Sequence, residues 1–138
     1  MSKEEAKGVL TSIDHIVLTA SDMDKTISFY CDILGMELQE STPSGGGEIR
    51  RSLKFGTQKI NLHDEKSPYK PHARNPIPGA VDICFLSSTP IEIWKDIFSK
   101  NNIKIEDGPV QKTGANGPIM SLYVRDQDLN LIEISNKI

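Results

Sequence analysis

An internal duplication constrains the fold of this chain more than any other feature of its sequence. Residues 13–40, IDHIVLTASDMDKTISFYCDILGMELQE, align without a gap with residues 80–107, AVDICFLSSTPIEIWKDIFSKNNIKIED. Each copy has the pattern of a short apolar strand, a polar helix cap, a helix of about three turns and a second strand. We therefore expect the chain to build one supersecondary unit twice.

Both copies continue with alternating apolar and polar residues, which is the period of a half-buried strand. Two further strands are predicted in each half, and the turns SGGG and KTGANG separate strands within the halves. The sequence thus predicts a single α+β domain in which two βαβββ modules form a curled mixed sheet with a cleft. Module one covers 12–63, a Pro-rich linker covers 64–79, and module two covers 80–136.

The composition limits the classes of function that need to be considered. The chain has 138 residues, of which 37% are hydrophobic and 25% are charged, as in ordinary globular domains. Its net charge of -3 gives no electrostatic basis for binding nucleic acid or an anionic membrane. The sequence has no apolar run of about 20 residues, as a membrane span needs, and no secretory signal. We therefore expect a cytoplasmic protein in which Cys31 and Cys84 are buried, reduced thiols.

Polar residues recur at matching positions of the otherwise apolar strands. His15 aligns with Asp82 in the first strands, and KINLH aligned with LIEIS places Asn61 on Glu133. His63 lies two residues beyond Asn61, so alternation along the strand puts both side chains on one face. Imidazole and carboxylate groups are ligands of zinc, nickel, iron, cobalt and manganese, so these residues predict a divalent metal site in the cleft.

Each of these residues also has an ordinary structural interpretation. His15 could be hydrogen-bonded within the core, and Asp82 could accept a hydrogen bond from the backbone or from an arginine. Glu133 could form a salt bridge with a cation such as Arg51. We also consider Arg51 and Arg125 as candidates for binding an anionic substrate, although strand arginines are often simply solvated.

Several motifs extend the comparison beyond the metal ligands. DHIVLT, FYCDILGME, FGTQKINLH, NPIPGAVDICF and EDGPVQKTGANGPIMSLYVRDQDLNLIEISN together resemble the vicinal oxygen chelate superfamily, which contains glyoxalase I, bleomycin-resistance proteins and extradiol dioxygenases. Within it, they are most similar to the group of glyoxalase domain-containing protein 5. The resemblance covers nearly the whole chain from Ile13 to Ile138.

The resemblance implies metal ligands at the second position of each first strand and on each last strand. Carried over, these are His15, Asn61 or His63, Asp82 and Glu133. Two positions depart from glyoxalase I-like proteins, which usually have His or Gln in place of Asp82 and Glu in place of Asn61. Because a neutral amide is a poor replacement for a carboxylate, either His63 replaces it or the site uses three protein ligands.

The resemblance further implies a glyoxalase-like lyase or isomerase, in which a divalent ion chelates neighbouring oxygens of a small substrate and stabilises an enediolate. Glu133 is then the proton-transferring base. One alternative is an Fe(II)-dependent extradiol-type dioxygenase that uses His15, His63 and Glu133. Another is a metal-free protein that sequesters a drug or metabolite. Short members of the superfamily commonly form homodimers, often by exchanging modules, and ligands of one site then come from two chains.

Overall fold

The computed structural model of the chain describes residues 6–138 and shows two similarly built halves. In chain order, the elements are β1 (His15–Ala20), α1 (Met23–Ile27), β2 (Glu37–Ser41), β3 (Arg50–Phe55), β4 (Gln58–Asp64), β5 (Asp82–Leu86), α2 (Ile91–Lys100), β6 (Asp107–Gly114), β7 (Gly117–Arg125) and β8 (Leu131–Lys137). A π-helical turn over Ser28–Ile33 continues α1. The residues between β4 and β5 form neither helix nor strand.

Each half forms its own four-stranded mixed sheet, and the two sheets have equivalent strand orders. The first sheet is ordered β1-β4-β3-β2 and the second β5-β8-β7-β6. In both sheets the first strand pairs parallel with the last, and the other pairings are antiparallel. This confirms the predicted α+β fold with two βαβββ modules. The sheets are open, so each has one face against the core and one face away from it.

The helices differ although the sequences that encode them align. Asp22 caps α1, and its Oδ1 accepts a hydrogen bond from the Lys25 backbone nitrogen at 3.0 Å. After Ile27 the backbone hydrogen bonds change from the α-helical pattern to the i→i+5 pattern of a π-helix, whereas α2 is α-helical throughout. Gly35 and Asn102 follow the two helices with positive φ angles of 79° and 56°, which is the conformation that commonly ends a helix.

One hydrophobic core joins the two modules. Tyr30 of the first module and Phe98 of the second are both fully buried in it. The rings of Phe55 and Phe85 meet edge to face across the modules, with 5.2 Å between their centroids. Because both helices and both sheets contribute to the same core, the orientation of one sheet relative to the other is fixed by packing.

Strand β5 is less buried than its apolar sequence suggests. Phe85 faces the core and is buried, whereas Leu86 is 56% exposed and Cys84 is also exposed. The prediction that both cysteines are buried is therefore wrong for Cys84, and Cys31 is only partly buried. The reason is alternation, since Asp82, Cys84 and Leu86 all point to the open face of the second sheet.

Candidate active site

The open face of the first sheet brings together three predicted site residues. His15 lies at the start of β1, and Asn61 lies opposite Val17 of β1 in the parallel pairing with β4. His63 follows on the same face, because it is two residues beyond Asn61. We call His15, Asn61 and His63 the first half-site.

His15 is oriented by its neighbour in the sequence. Its Nδ1 lies 2.8 Å from Oδ1 of Asp14. Because an ionised carboxylate only accepts hydrogen bonds, Nδ1 carries the proton and donates it, which leaves Nε2 with a free lone pair. The hydrogen bond to His15 lowers the pKa of Asp14. A carboxylate that holds the far nitrogen of the ring is the usual support of a metal-binding histidine.

His63 is the buried member of the first half-site. It is 8% exposed, and its Nδ1 has no hydrogen-bond partner among the residues that the structure describes. The ring of Tyr69 meets it edge to face, with 5.1 Å between the centroids. Burial, and then the nearby positive charges of His72 and Arg50, lower the pKa of His63 below its usual 6.5. His63 is therefore a neutral imidazole at pH 7, with one ring nitrogen that can bind a metal ion and one that can donate a hydrogen bond.

The lowered pKa of His63 predicts a pH dependence of stability. Between the pKa of the folded state and 6.5, the unfolded chain binds more protons at this residue, so acidification favours unfolding. We expect the free energy of unfolding, measured with urea, to fall as the pH is lowered from 7 through 6.5. In His63→Asn this part of the fall should be absent. An equal fall in both proteins would show that other groups cause it.

The open face of the second sheet holds the other two predicted ligands. Glu133 of β8 lies opposite Cys84 of β5 and Tyr123 of β7. Asp82 starts β5 on the same face and is exposed, with no side-chain hydrogen bond within residues 6–138. We call Asp82 and Glu133 the second half-site. The register pairs Asn61 with Val17 and Glu133 with Cys84, so equivalent residues of the two copies have equivalent partners.

Two serines fix the carboxylate of Glu133. The Ser121 hydroxyl, which is fully buried, donates to Oε2 of Glu133 at 2.6 Å. The hydroxyl oxygens of Ser121 and Ser135 are 2.7 Å apart, and Ser135 Oγ lies 3.3 Å from the sulfur of Cys84. Oε1 of Glu133 has no hydrogen bond in the described part of the chain and is therefore available to a ligand.

Tyr123 and Cys84 flank Glu133 in their protonated forms. Desolvation and then the charge of Glu133 raise the pKa of Tyr123 to about 12. Desolvation also raises the pKa of Cys84, and the carboxylates of Glu133 and Asp82 add to this, although the hydrogen bond with Ser135 opposes it. A thiol held protonated is a poor nucleophile, so Cys84 contributes to the shape of the face rather than to covalent chemistry.

The two arginines that the sequence proposed for substrate binding both form ion pairs. Arg51 Nε lies 3.2 Å from Glu40 Oε2, and Arg125 lies 3.0 Å from Glu106 Oε2. Arg51 still borders the cavity on the first sheet, whereas Arg125 borders neither this cavity nor the one on the second sheet. Neither side chain forms an ion pair or a hydrogen bond with Glu133 within residues 6–138, because each is paired with another glutamate.

Two cavities open on the two half-sites. The cavity on the first sheet has a volume of about 400 Å³ and contains the whole first half-site. The cavity on the second sheet, of about 580 Å³, includes Glu133 and Tyr123 together with Lys112 and Lys137. In residues 6–138, no three His, Cys, Asp or Glu side chains lie close enough together to hold a metal ion. A single chain therefore presents the predicted ligands as two separate groups.

The donor atoms nevertheless suit a first-row divalent ion. His15 offers its Nε2, since Nδ1 is held by a carboxylate, and His63 offers its Nε2, which forms no hydrogen bond within residues 6–138 and leaves Nδ1 to donate. Asp82 and Glu133 offer carboxylate oxygens. The chemistry of the residues thus fits a metal that is shared between the half-sites, whereas their positions in one chain do not bring them together.

Comparison with known proteins decides the family. Residues 12–134 match the Glyoxalase/Bleomycin resistance protein/Dioxygenase superfamily. The chain belongs to this superfamily. Its members bind small molecules and often use divalent metals. The narrower resemblance to glyoxalase domain-containing protein 5 stays a prediction.

Three relatives illustrate the range of similarity. Virulence protein STM3117 of Salmonella typhimurium is 45% identical to this chain, and the alignment covers 96% of this chain and 88% of STM3117. The crystal structure of STM3117 superposes on this structure with a TM-score of 0.86, over 95% of this chain and 100% of the STM3117 chain. Glyoxalase domain-containing protein RDO1 of Mycosarcoma maydis is 46% identical over 91% of this chain and 68% of its own. Lactoylglutathione lyase from Agrobacterium tumefaciens is 28% identical, with a TM-score of 0.69 over 93% and 95% of the two chains.

Some features of the site could not be found by sequence reasoning. Ser121 contacts Glu133 because β7 pairs with β8, and Tyr69 contacts His63 because the linker folds over the first sheet. The sequence gives no signal for either contact. Asp14 could have been noticed, since it directly precedes His15. As for the membrane, the helices that the structure describes are too short and too polar to cross one.

Proposed function

We propose that the chain is a glyoxalase-like, metal-dependent lyase or isomerase that acts on a small substrate with neighbouring oxygen atoms. The observation that supports this most is the preorganisation of the two half-sites. Asp14 orients His15 and leaves Nε2 free, and Ser121 orients Glu133 and leaves Oε1 free. Rigid strands hold both residues, as a metal site requires. Membership of the superfamily is consistent with the same chemistry.

The functional unit in this proposal is a homodimer in which a second copy of the chain completes each site. The half-sites lie on different sheets. The first face carries Arg50, Lys59 and His15, whereas the second carries the carboxylates of Asp82 and Glu133 together with Lys112 and Lys137. Both faces also expose apolar side chains, since Val17 is 43% and Leu86 is 56% exposed. A two-fold arrangement that sets the first sheet of one copy over the second sheet of its partner makes two equivalent sites.

His15, His63 and Asp82 would hold the divalent ion, and Glu133 would bind it only when Oε1 is not acting as the base. When bound, that ion acts as a Lewis acid toward the substrate oxygens and increases the acidity of the adjacent carbon–hydrogen bond. Oε1 of Glu133 accepts the proton from this carbon and returns it to the neighbouring carbon. Ser121 holds Oε2 throughout, so the carboxylate keeps its orientation as it gains and loses the proton. Tyr123 and Leu86 help to exclude water from the second face.

A complementation experiment tests the shared site. One variant carries His15→Ala and His63→Ala, and the other carries Asp82→Ala and Glu133→Ala. The two variants are coexpressed with different tags, and the heterodimer is purified. If each site is built from two chains, the heterodimer contains one site with all its ligands and one with none. We expect elemental analysis to find bound zinc, nickel or another divalent ion in the heterodimer and in the wild type, and none in either variant alone.

The same experiment has a clear opposite outcome. If each chain built its own site, both chains of the heterodimer would be defective, and the heterodimer would bind no metal. A wild-type protein that binds no divalent ion would contradict the proposed function itself. The substrate is sought by screening the metal-loaded wild type with 2-oxoaldehyde–thiol adducts, with catechols and with epoxides of the fosfomycin type. Turnover of a catechol would indicate oxygenation instead.

A further inference from the structure

The cavity on the first sheet has an unusual charge distribution. Four Lys or Arg residues border it, and its walls contain no Asp or Glu. Arg51 is neutralised by Glu40, but Arg50, Lys59 and Lys70 form no ion pair within residues 6–138. Among the described residues, Arg50 and Lys70 have no carboxylate partner, and Lys59 is only partly balanced by the nearby Asp14. The excess of positive charge around a cavity of about 400 Å³ favours an anion.

Arg50 is held at this cavity by an aromatic ring rather than by a carboxylate. Its guanidinium carbon lies 4.7 Å from the centre of the Tyr69 ring. Tyr69 is itself anchored, because its hydroxyl donates to the carbonyl oxygen of Ile49 at 3.1 Å. A guanidinium that stacks on a ring keeps its N–H donors, which lie in its own plane, available for another partner. Arg50 is thus positioned while its hydrogen-bonding capacity is unused.

His63 adds an unused polar atom to the same place. It is more than nine-tenths buried, it borders the cavity beside Arg50 and Tyr69, and its Nδ1 has no partner among the described residues. A buried polar atom without a hydrogen bond costs about 1–3 kcal/mol. An oxygen atom of a bound ligand would supply the missing partner.

We propose that Arg50, with His63 and Lys59, binds an anionic group of the substrate, a carboxylate or a phosphate. This inference rests on the proposed function and narrows its substrate class. Because His15 and Asn61 border the same cavity, the anionic group lies near the oxygens that the ion would chelate. The substrate is therefore a small hydroxy or oxo compound that carries a carboxylate or phosphate. Arg50 determines its specificity, whereas Arg51 is already paired with Glu40.

The test measures anion binding by the purified protein after a chelator has removed any metal, in whatever oligomeric state it then has. Glycolate and inorganic phosphate are titrated by calorimetry, with glycolamide as the neutral probe. We expect at least one of the two anions to bind and glycolamide not to bind. Arg50→Gln should lower the affinity for the anion by about 10- to 100-fold, because it removes a charge-assisted pair of hydrogen bonds. The anion that binds more tightly identifies the group as a carboxylate or a phosphate.

Arg74→Gln is the matched control, since it removes the same charge from an exposed position of the linker outside the cavity. It should bind the anion as the wild type does. The proposal would be overturned if Arg50→Gln bound the anion as tightly as the wild type, or if Arg50→Gln and Arg74→Gln lost the same affinity for it. It would also be overturned if glycolamide bound as tightly as the anions. Circular dichroism checks that Arg50→Gln is folded. Because no metal is present, these results are independent of whether the metal-loaded protein has lyase or isomerase activity.

Discussion

Replacing Asp126 by alanine is expected to lower the free energy of unfolding by about 3–5 kcal/mol. Asp126 lies directly after β7, is 3% exposed, and accepts four hydrogen bonds. The Tyr30 hydroxyl of the first module donates to Oδ2 at 2.7 Å, and the Asn130 side-chain nitrogen donates to the same atom at 2.8 Å. The backbone nitrogens of Asp128 and Asn130 donate to Oδ1 at 2.9 and 3.0 Å.

The size of this effect follows from where the donors lie. Tyr30 and Asn130 are both fully buried, so alanine at position 126 leaves donors that water cannot reach. Desolvation and the charge of Asp126 raise the pKa of Tyr30, so its hydroxyl remains a donor at every ordinary pH. Because Tyr30 belongs to the first module and Asp126 to the second, the loss also weakens the junction of the modules.

Urea denaturation followed by circular dichroism measures the change, with Asp96→Ala as the matched control. Asp96 is exposed on α2 and forms no ion pair or side-chain hydrogen bond within residues 6–138, so its removal should change the free energy of unfolding by less than about 0.5 kcal/mol. Tyr30→Phe should fall between the two variants, since it removes one hydrogen bond and keeps the ring. If Asp126→Ala were as stable as Asp96→Ala, this network would not join the modules.

The duplication allowed equivalent positions in the two halves to be predicted. Aligning KINLH with LIEIS places Asn61 and Glu133 at equivalent positions, and the structure pairs them with Val17 and Cys84, which are also equivalent. This succeeds because alternation along a strand is a local property that the sequence records directly. The same alignment predicted similar helices, and there it missed the π-helical turn after α1.

The remaining features depend on contacts that are distant in the sequence. The Ser121–Glu133 hydrogen bond requires β7 to pair with β8 in one register, and the contact of Arg50 with Tyr69 requires the linker to fold back over β3. The hydrophobic sequence of β5 indicated that Leu86 is buried, but in the structure Leu86 lies on the open face of the second sheet and is exposed. Alternation along β5, and not hydrophobicity, decides which of its apolar residues are buried.

Replacing Glu133 by glutamine should reduce kcat on the substrate by about 100- to 10,000-fold. The amide has nearly the same shape, and its oxygen still accepts the hydrogen bond from Ser121, so the second sheet should keep its structure. What is lost is the ability of this side chain to take a proton. Glu92→Gln is the control, because Glu92 is an exposed residue of α2 that pairs with Lys95 at 3.4 Å and has no contact with either half-site.

The comparison of kcat with metal content separates the two roles that Glu133 has in the proposal. If it is the base, Glu133→Gln still binds the divalent ion through His15, His63 and Asp82 while kcat falls. If it serves only as a ligand, metal content and kcat fall together, and added metal restores both. Ser121→Ala gives a further distinction, because it leaves the carboxylate in place but removes its orientation. A positioning role predicts a smaller loss of kcat, which Ser121→Thr rescues by restoring the hydroxyl. Unchanged kcat in Glu133→Gln would show that the proton is transferred by another group.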